Sequence, residues 1–257
     1  MRVQVSEPDK ASERPQVVLV QTNPHALVLG AEVPRVVIYE DGTVITQREA
    51  QVVTAVAPKE TRELIARVIT PELLALPARW SVRAPTDQPR LQLLVRDADG
   101  WKLLDVYGVR LGSPPRPGTT PPGVPTEIFL AACEALASFE PPGAVPWVPQ
   151  EIELMLWDFS HAKEEPLPWP AGVPQPPRAG RVAKGTQKHP IPGRHEAALR
   201  AFLEQQGPRR GVQLDGKSMS LAYRRLVPAD AHIQAVRRCA LSAAIGPELP
   251  PGCTRTP

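Results

Sequence analysis

The segment PTDQP (Pro85–Pro89) sets Asp87 between two prolines, immediately before an apolar run. A carboxylate fixed there could act as a general acid or a metal ligand. It could equally form an Asx-turn, accepting from the backbone two residues on and organising the entry into a strand; the turn is the expected role. Asp158 and His161 stand three residues apart, where EIELMLWDF gives way to a loop. With Asp87 they make the trio on which an unrecognised enzyme site would centre, but two groups at that spacing fall short of a metal-ligand set. His25, His189, His195 and His232 add no HExxH and no other paired ligand spacing. There is no GxSxG for a serine nucleophile and no GxGxxG for a dinucleotide. DGKS (Asp215–Ser218) imitates the end of a phosphate loop but sits in a hairpin pattern rather than before a helix. No catalytic residues, no metal site and no cofactor are therefore expected.

Arg209-Arg210, Arg224-Arg225 and Arg237-Arg238 form three adjacent pairs, following Arg178, Arg181, Lys184, Lys188, Arg194 and Arg200. Residues 178–257 carry 14 Lys and Arg against 5 Asp and Glu, whereas residues 1–177 carry 16 against 22. Guanidinium groups in such numbers could neutralise phosphates and give salt-sensitive nucleic-acid binding, so the paired arginines are the candidate binding residues. Nucleic-acid readers also bring a recognition helix or stacking aromatics, and only one helix pattern precedes the hairpin here. The bland counterpart is a solvated basic surface that pairs in part with the acidic portion of the chain. Trp147 and Trp169, in VPWVP and LPWPA, have the chemistry of partner-binding anchors or of plugs pushed into a core from proline-rich loops; the plug is favoured. Cys133 falls on the inward side of a helix pattern beside Phe129 and Leu136, which suits a buried, unreactive thiol. Cys133, Cys239 and Cys253 are odd in number and widely spaced, with no CxxC. Neither a disulfide framework nor a cysteine zinc site is expected.

Hairpins and helices must hold these groups. Asp-Gly occurs at 41–42, 99–100 and 215–216, each time between runs of strand-forming residues, a strong short-range hairpin signal. At the first, a two-residue loop would set Ile38 opposite Ile45 and Tyr39 opposite Val44. At the second, a loop over Asp97–Gly100 would pair Arg96 with Trp101 and put Leu91, Leu93, Leu104 and Val106 on one face. At the third, Val212, Leu214, Met219, Leu221 and Tyr223 share a face. The tips are expected to be scaffold, because Asp-Gly supplies the positive φ that a tight turn needs. QVVLVQ (Gln16–Gln21) and EIELMLWDF (Glu151–Phe159) read as further strands. Helical periodicity marks Pro58–Ile69, with Leu64, Ile65, Val68 and Ile69 inward, then 126–139, 194–206 and about 228–244.

With 42% of its 257 residues apolar, the chain can bury a core. Its 33 prolines are more than twice the usual ~5%. No apolar run reaches 18 residues, so no membrane span is expected. The first residues, MRVQVSEPDKASERP, lack the apolar region of a secretory leader, and the expected location is the cytoplasm. The expected class is α+β: a mainly antiparallel sheet built from hairpins with packed helices, with a ferredoxin-like β-α-β-β-α-β order as one arrangement of its N-terminal part. The expected divisions are an α+β domain over 1–162, a proline-rich linker or surface arm over 163–192, a small basic α-β-β-α subdomain over 193–245 and a loose tail over 246–257.

From Arg35 to Arg110 the chain joins a DG-x-V hairpin (Asp41–Val44), a helix, TDQP and a hairpin strand ending in VYG (Val106–Gly108). That order resembles an uncharacterised α+β domain family of high-GC bacteria, and the excess of arginine over lysine, 23 to 7, is in keeping with such a genome. The resemblance covers under a third of the chain, implies a bacterial origin and brings no catalytic residues. The expected function is that of a non-enzymatic bacterial protein that binds another macromolecule, a protein first, as an interaction or immunity/accessory module. A nucleic acid or other anionic ligand held by the basic C-terminal region is the alternative. An enzyme with an unread site is the third reading.

Overall fold

The computed structural model describes residues 2–22, 32–48, 51–82, 87–113, 124–177, 185–207, 209–246 and 248–256. The chain runs β1 (Arg2–Gln4), β2 (Pro15–Thr22), β3 (Val36–Tyr39), β4 (Thr43–Arg48), β5 (Gln51–Val56), α1 (Pro58–Val68), α2 (Pro71–Ala75) and β6 (Arg79–Ser81). It continues through β7 (Arg90–Asp97), β8 (Gly100–Tyr107), α3 (Thr126–Ala137), β9 (Val145–Pro146) and β10 (Glu151–Asp158). Then come β11 (Gln187–Pro192), α4 (Glu196–Gln206), β12 (Val212–Leu214), β13 (Lys217–Arg225), α5 (Asp230–Ile245) and β14 (Thr254–Thr256). The described residues gather into two contact units: one from Met1–Pro24, Pro34–Trp147 and Val227–Pro257, the other from His25–Val33 and Val148–Leu226.

The first unit is a mainly antiparallel sheet in the order β14-β1-β8-β7-β2-β3-β4-β5-β9, with β6 parallel against β8. Alternate residues of its strands (Val17, Leu19, Val36, Ile38, Val44, Leu91, Leu93, Leu104 and Val106) form one apolar face. Against it pack Leu64 and Val68 of α1, Leu73 of α2, and Phe129, Cys133 and Leu136 of α3. Pro58 starts α1 at its first position, where a missing N–H costs nothing, and Thr70 caps α2 by accepting from the Leu73 N–H. Val18, Val37, Tyr39 and Leu103 on the opposite face are buried too, which is why β2 and β3 read as continuous apolar runs rather than alternating ones. α5 runs close to β1 and β8, and Tyr39 Oη donates to the Pro228 carbonyl at 2.9 Å.

The class is α+β, with antiparallel, hairpin-built sheets. A ferredoxin-like order does not describe it: β2, β3, β4 and β5 are successive neighbours, with no helix between them among the described residues, and the β7–β8 hairpin adds beside β2. The second hairpin has the expected register, with Arg96 opposite Trp101. The first is shifted by one: Ile38 faces Val44 and Val37 faces Ile45. Three residues, Glu40–Gly42, make that loop, with the Thr43 N–H on Asp41 Oδ1 at 2.9 Å; this is the longer hairpin geometry in which Gly at positive φ closes a bulge.

The second unit is a four-stranded antiparallel sheet, β11-β10-β13-β12. Ile152, Leu154, Leu156, Ile191, Val212, Met219 and Leu221 form its core with Leu199 of α4 and Val173. Trp169 packs on this core, its indole N–H donating to the Val173 carbonyl at 2.9 Å, so it is a plug supplied by a proline-rich segment. Four expected divisions change. The 1–162 domain is divided by contacts at 147/148, the 163–192 linker contains β11, the span 193–245 is divided at 226/227 with α5 joining the first unit, and the tail is not loose. Thr254–Thr256 pair with Arg2–Gln4, and Cys253 is bonded to Cys239 with Cα atoms 5.7 Å apart. The odd cysteine count concealed this disulfide, whose partners stand 14 positions apart, one within α5 and one immediately before β14.

Candidate functional site

Each group singled out by type and spacing has a defined setting. Asp87 adopts a left-handed φ of 59° in the first unit, and the next residue's N–H, on Gln88, donates to Tyr107 Oη at 3.1 Å. Asp158 accepts from the Ser160 N–H at 2.9 Å, the Asx-turn geometry; that bond is the main cause holding its carboxyl below the ordinary range. His161 packs edge-on to Phe159, ring centroids 4.9 Å apart. Cys133 is fully buried, and burial pushes its thiol far up, as an unreactive thiol requires. His25, Arg178, Arg181 and Lys184 lie outside the described residues. Among the described residues no group of three or more His, Cys, Asp or Glu side chains is placed to hold a metal, and no helix is long and apolar enough to cross a membrane.

Four of the six paired arginines meet partners within the protein. Arg210 Nε contacts Glu164 Oε2 at 2.5 Å. Arg224 is buried with Nε 2.7 Å from Glu153 Oε2, a carboxylate that Lys188 approaches to 3.5 Å. Arg225 Nε donates to Glu196 Oε1 at 2.7 Å, which also accepts from Tyr223 Oη at 3.1 Å. Burial, then the Glu196 carboxylate, pushes the Tyr223 hydroxyl up to about 12. Arg237, in the first unit, donates to Gln92 Oε1 at 2.7 Å. Arg209 and Arg238 are exposed.

Sequence reasoning gave no weight to Asp105, whose only signal is an acid inside KLLDVY. It is fully buried, 2.6 Å from Arg90 and 3.4 Å from Arg79, and accepts from Gln92 at 3.2 Å. Burial raises its pKa against the pull of those arginines. The carboxylate is satisfied on every side, which is how a buried charge persists in a fold. A second feature extends upstream of DGKS. Gly211–Ser218, GVQLDGKS, has the whole GxxxxGK[ST] spacing of a phosphate loop. The structure turns it into the β12–β13 hairpin, with Asp215 (φ 49°) and Gly216 (φ 74°) as the two-residue turn. A phosphate loop needs a following helix N-terminus, and here a strand follows.

An uncovered edge and a cavity coincide in the second unit. Phe159 N–H bonds Ser218 O and Leu226 N–H bonds Glu151 O. With the β10–β13 register, antiparallel alternation turns the backbone groups of Ser220, Ala222 and Arg224 toward β10 and those of Met219, Leu221, Tyr223 and Arg225 away from it. β12 reaches only as far as Met219, opposite Val212. Upstream of β12 the chain turns back into α4, and the Arg210 carbonyl accepts from the Gln206 side chain at 2.7 Å instead of continuing the ladder. Among the described residues no backbone group pairs with the outward N–H and C=O of Leu221 and Tyr223. A cavity of about 370 Å³ opens along this stretch, lined by Ser220–Tyr223, Leu203, Gln206, Gly207, Arg210 and Phe159. It offers directed backbone donors and acceptors beside apolar side chains, which is binding chemistry. Comparison with protein-family models, with curated proteins and with solved structures returns no match.

Proposed function

We propose that this protein acts by binding another protein, as a non-enzymatic interaction or accessory module of a bacterium. The observation that carries the reading is the cavity beside the uncovered stretch of β13. A fold seldom leaves an apolar recess beside strand groups that find no backbone partner among the described residues without a use for them. The arginine settings support a protein partner over a nucleic acid. Phosphate binding draws on available guanidinium groups, and Arg210, Arg224 and Arg225 already meet Glu164, Glu153 and Glu196. The expected cytoplasmic location is part of the proposal, and the Cys239–Cys253 bond weighs against it, since cytosolic thiol systems keep such pairs reduced.

The test is capture of partners by the tagged full-length chain from nuclease-treated lysate of its source, identified by mass spectrometry. One stoichiometric protein that stays bound from low salt to about 0.5 M salt is the expected result. Absence of any stoichiometric protein, with nucleic acid recovered when nuclease is omitted, overturns the reading in favour of the basic surface.

A further inference from the structure

The two edges of the second unit's sheet are treated differently by the sequence. At one edge, Gly193 N–H bonds Gln150 O. With the β10–β11 register, this turns Gln187, His189 and Ile191 toward β10 and Lys188, Pro190 and Pro192 outward. Two of the three outward positions are proline, which carries no N–H, so a strand arriving there finds few donors. This is how edge strands are protected from pairing. At the other edge, the outward positions Leu221, Tyr223 and Arg225 all keep their N–H groups, and β12 stops short of them. A fold that blunts one edge with prolines and leaves the other equipped beside a cavity is built to accept a strand at the second.

We propose, resting on the protein-binding reading above, that a partner contributes an extended peptide segment that adds to β13 as a further strand, hydrogen-bonded to Leu221, Tyr223 and Arg225. The mode is β-augmentation, in which main-chain bonds supply affinity and alternate side-chain pockets supply selectivity. Side chains of the incoming strand alternate between the two faces of the sheet. Those directed to the α4 face meet Leu203, Leu221 and Tyr223 and must be apolar. Those directed to the other face lie beside Ser220 and Ala222 and can be small or polar. Next to Arg210, whose guanidinium is taken by Glu164, the exposed Arg209 is the available cation, and residues 148–226 carry 12 Lys and Arg against 8 Asp and Glu, so the complement at that end is acidic. The occupant is thus a peptide of alternating apolar residues with an acidic residue at one end.

The test pans the full-length protein against a phage-displayed library of random linear decapeptides. Backbone amide exchange is then followed by NMR with and without the best-enriched peptide. Enriched peptides should show apolar residues at every second position and an acid at one end. The Leu221 and Tyr223 amides should exchange quickly in the free protein and at least ten-fold more slowly with peptide, while Ser220 and Ala222 stay slow throughout. Tyr223→Pro removes an outward donor without touching the β10 ladder and should weaken the peptide at least ten-fold, with Arg225→Pro as the second variant. Failure to enrich peptides, peptides without alternation, or Leu221 and Tyr223 amides already protected in the free protein would overturn the inference. A lysate partner that survives Tyr223→Pro at undiminished affinity overturns strand addition but leaves protein binding standing; a lysate with no protein partner removes the wider reading.

Discussion

His232 on α5 has its imidazole centroid 6.1 Å from the Trp101 ring and its Nε2 3.5 Å from a Glu7 carboxylate oxygen. Burial pushes its pKa below the ordinary ~6.5. The Glu7 carboxylate and a backbone hydrogen bond at Ser6 pull the other way, and Arg96 pushes down with burial. Glu7 is already shared, accepting from Trp101 Nε1 at 3.1 Å and pairing with Arg96 at 3.1 Å, so it cannot fully compensate a second cation. The folded protein therefore favours the neutral ring, and the unfolded chain takes up the proton first as pH falls. The resulting stability is complete above about pH 6.5 and drains away as pH falls through the lower folded value. His189 is lowered by burial as well and carries the same sign. Urea unfolding should thus show wild-type stability declining from pH 7.5 to pH 5, with a shallower decline in His232→Gln and a remainder due to His189. Equal slopes in the two proteins would show that the His232 ring titrates as it does in water.

Hairpin loops carry different costs at matching Asp-Gly pairs. Gly42 has a φ of 86°, and a Cβ there would lie 2.4 Å from Pro58 Cα, because the β3–β4 loop is pressed against the start of α1. Gly216 has a φ of 74° with nothing within 4 Å. Gly216→Ala should therefore cost only backbone strain, ~1–2 kcal/mol. Gly42→Ala adds displacement of backbone to that strain and should cost ~3–4 kcal/mol, measured as the difference in urea unfolding free energy. Equal losses would place α1 away from the loop. The contrast also marks how far the sequence could be read. The second and third hairpins were legible because each is a local matter of alternation and a turn pair: Leu91, Leu93, Leu104 and Val106 do share one face, as do Val212, Met219 and Leu221. The one-residue shift of the first was not, because Asp41-Gly42 serves a two-residue or a three-residue loop equally well. The binding edge was hidden for a further reason. Nothing near Tyr223 in sequence says where β12 stops, and α4 decides that by drawing Arg210 back onto Gln206.

The ends of the chain meet in the first unit. β1 lies between β8 and β14, so residues at opposite termini complete one edge of the sheet. Three residues of β14 form too short a ladder to hold by themselves; the Arg255 contact to the Gly246 carbonyl helps, and the Cys239–Cys253 bond fixes Cys253 immediately before the strand. The Cα separation of 5.7 Å lies within the usual disulfide range. Closing a loop of about 15 residues removes unfolded-chain entropy worth ~3 kcal/mol. Cys253→Ser, or dithiothreitol on the wild type, should lower the unfolding free energy of the first unit by ~2–3 kcal/mol and open the last residues to carboxypeptidase. The second unit takes no part in the bond, so the proline-blunted edge and the uncovered edge of its sheet should keep their amide-exchange patterns under reduction. Unchanged stability on reduction would mean that α5 holds the tail without the bond. Thiol titration in denaturant, on protein taken from its source without reductant, then fixes the compartment. One reactive thiol, from Cys133, is the count for an oxidising environment, where a strand-accepting edge would meet extracytoplasmic partners. Three is the count for the cytosol, where β14 would be free to leave β1 and expose β1 as the edge of the first unit's sheet.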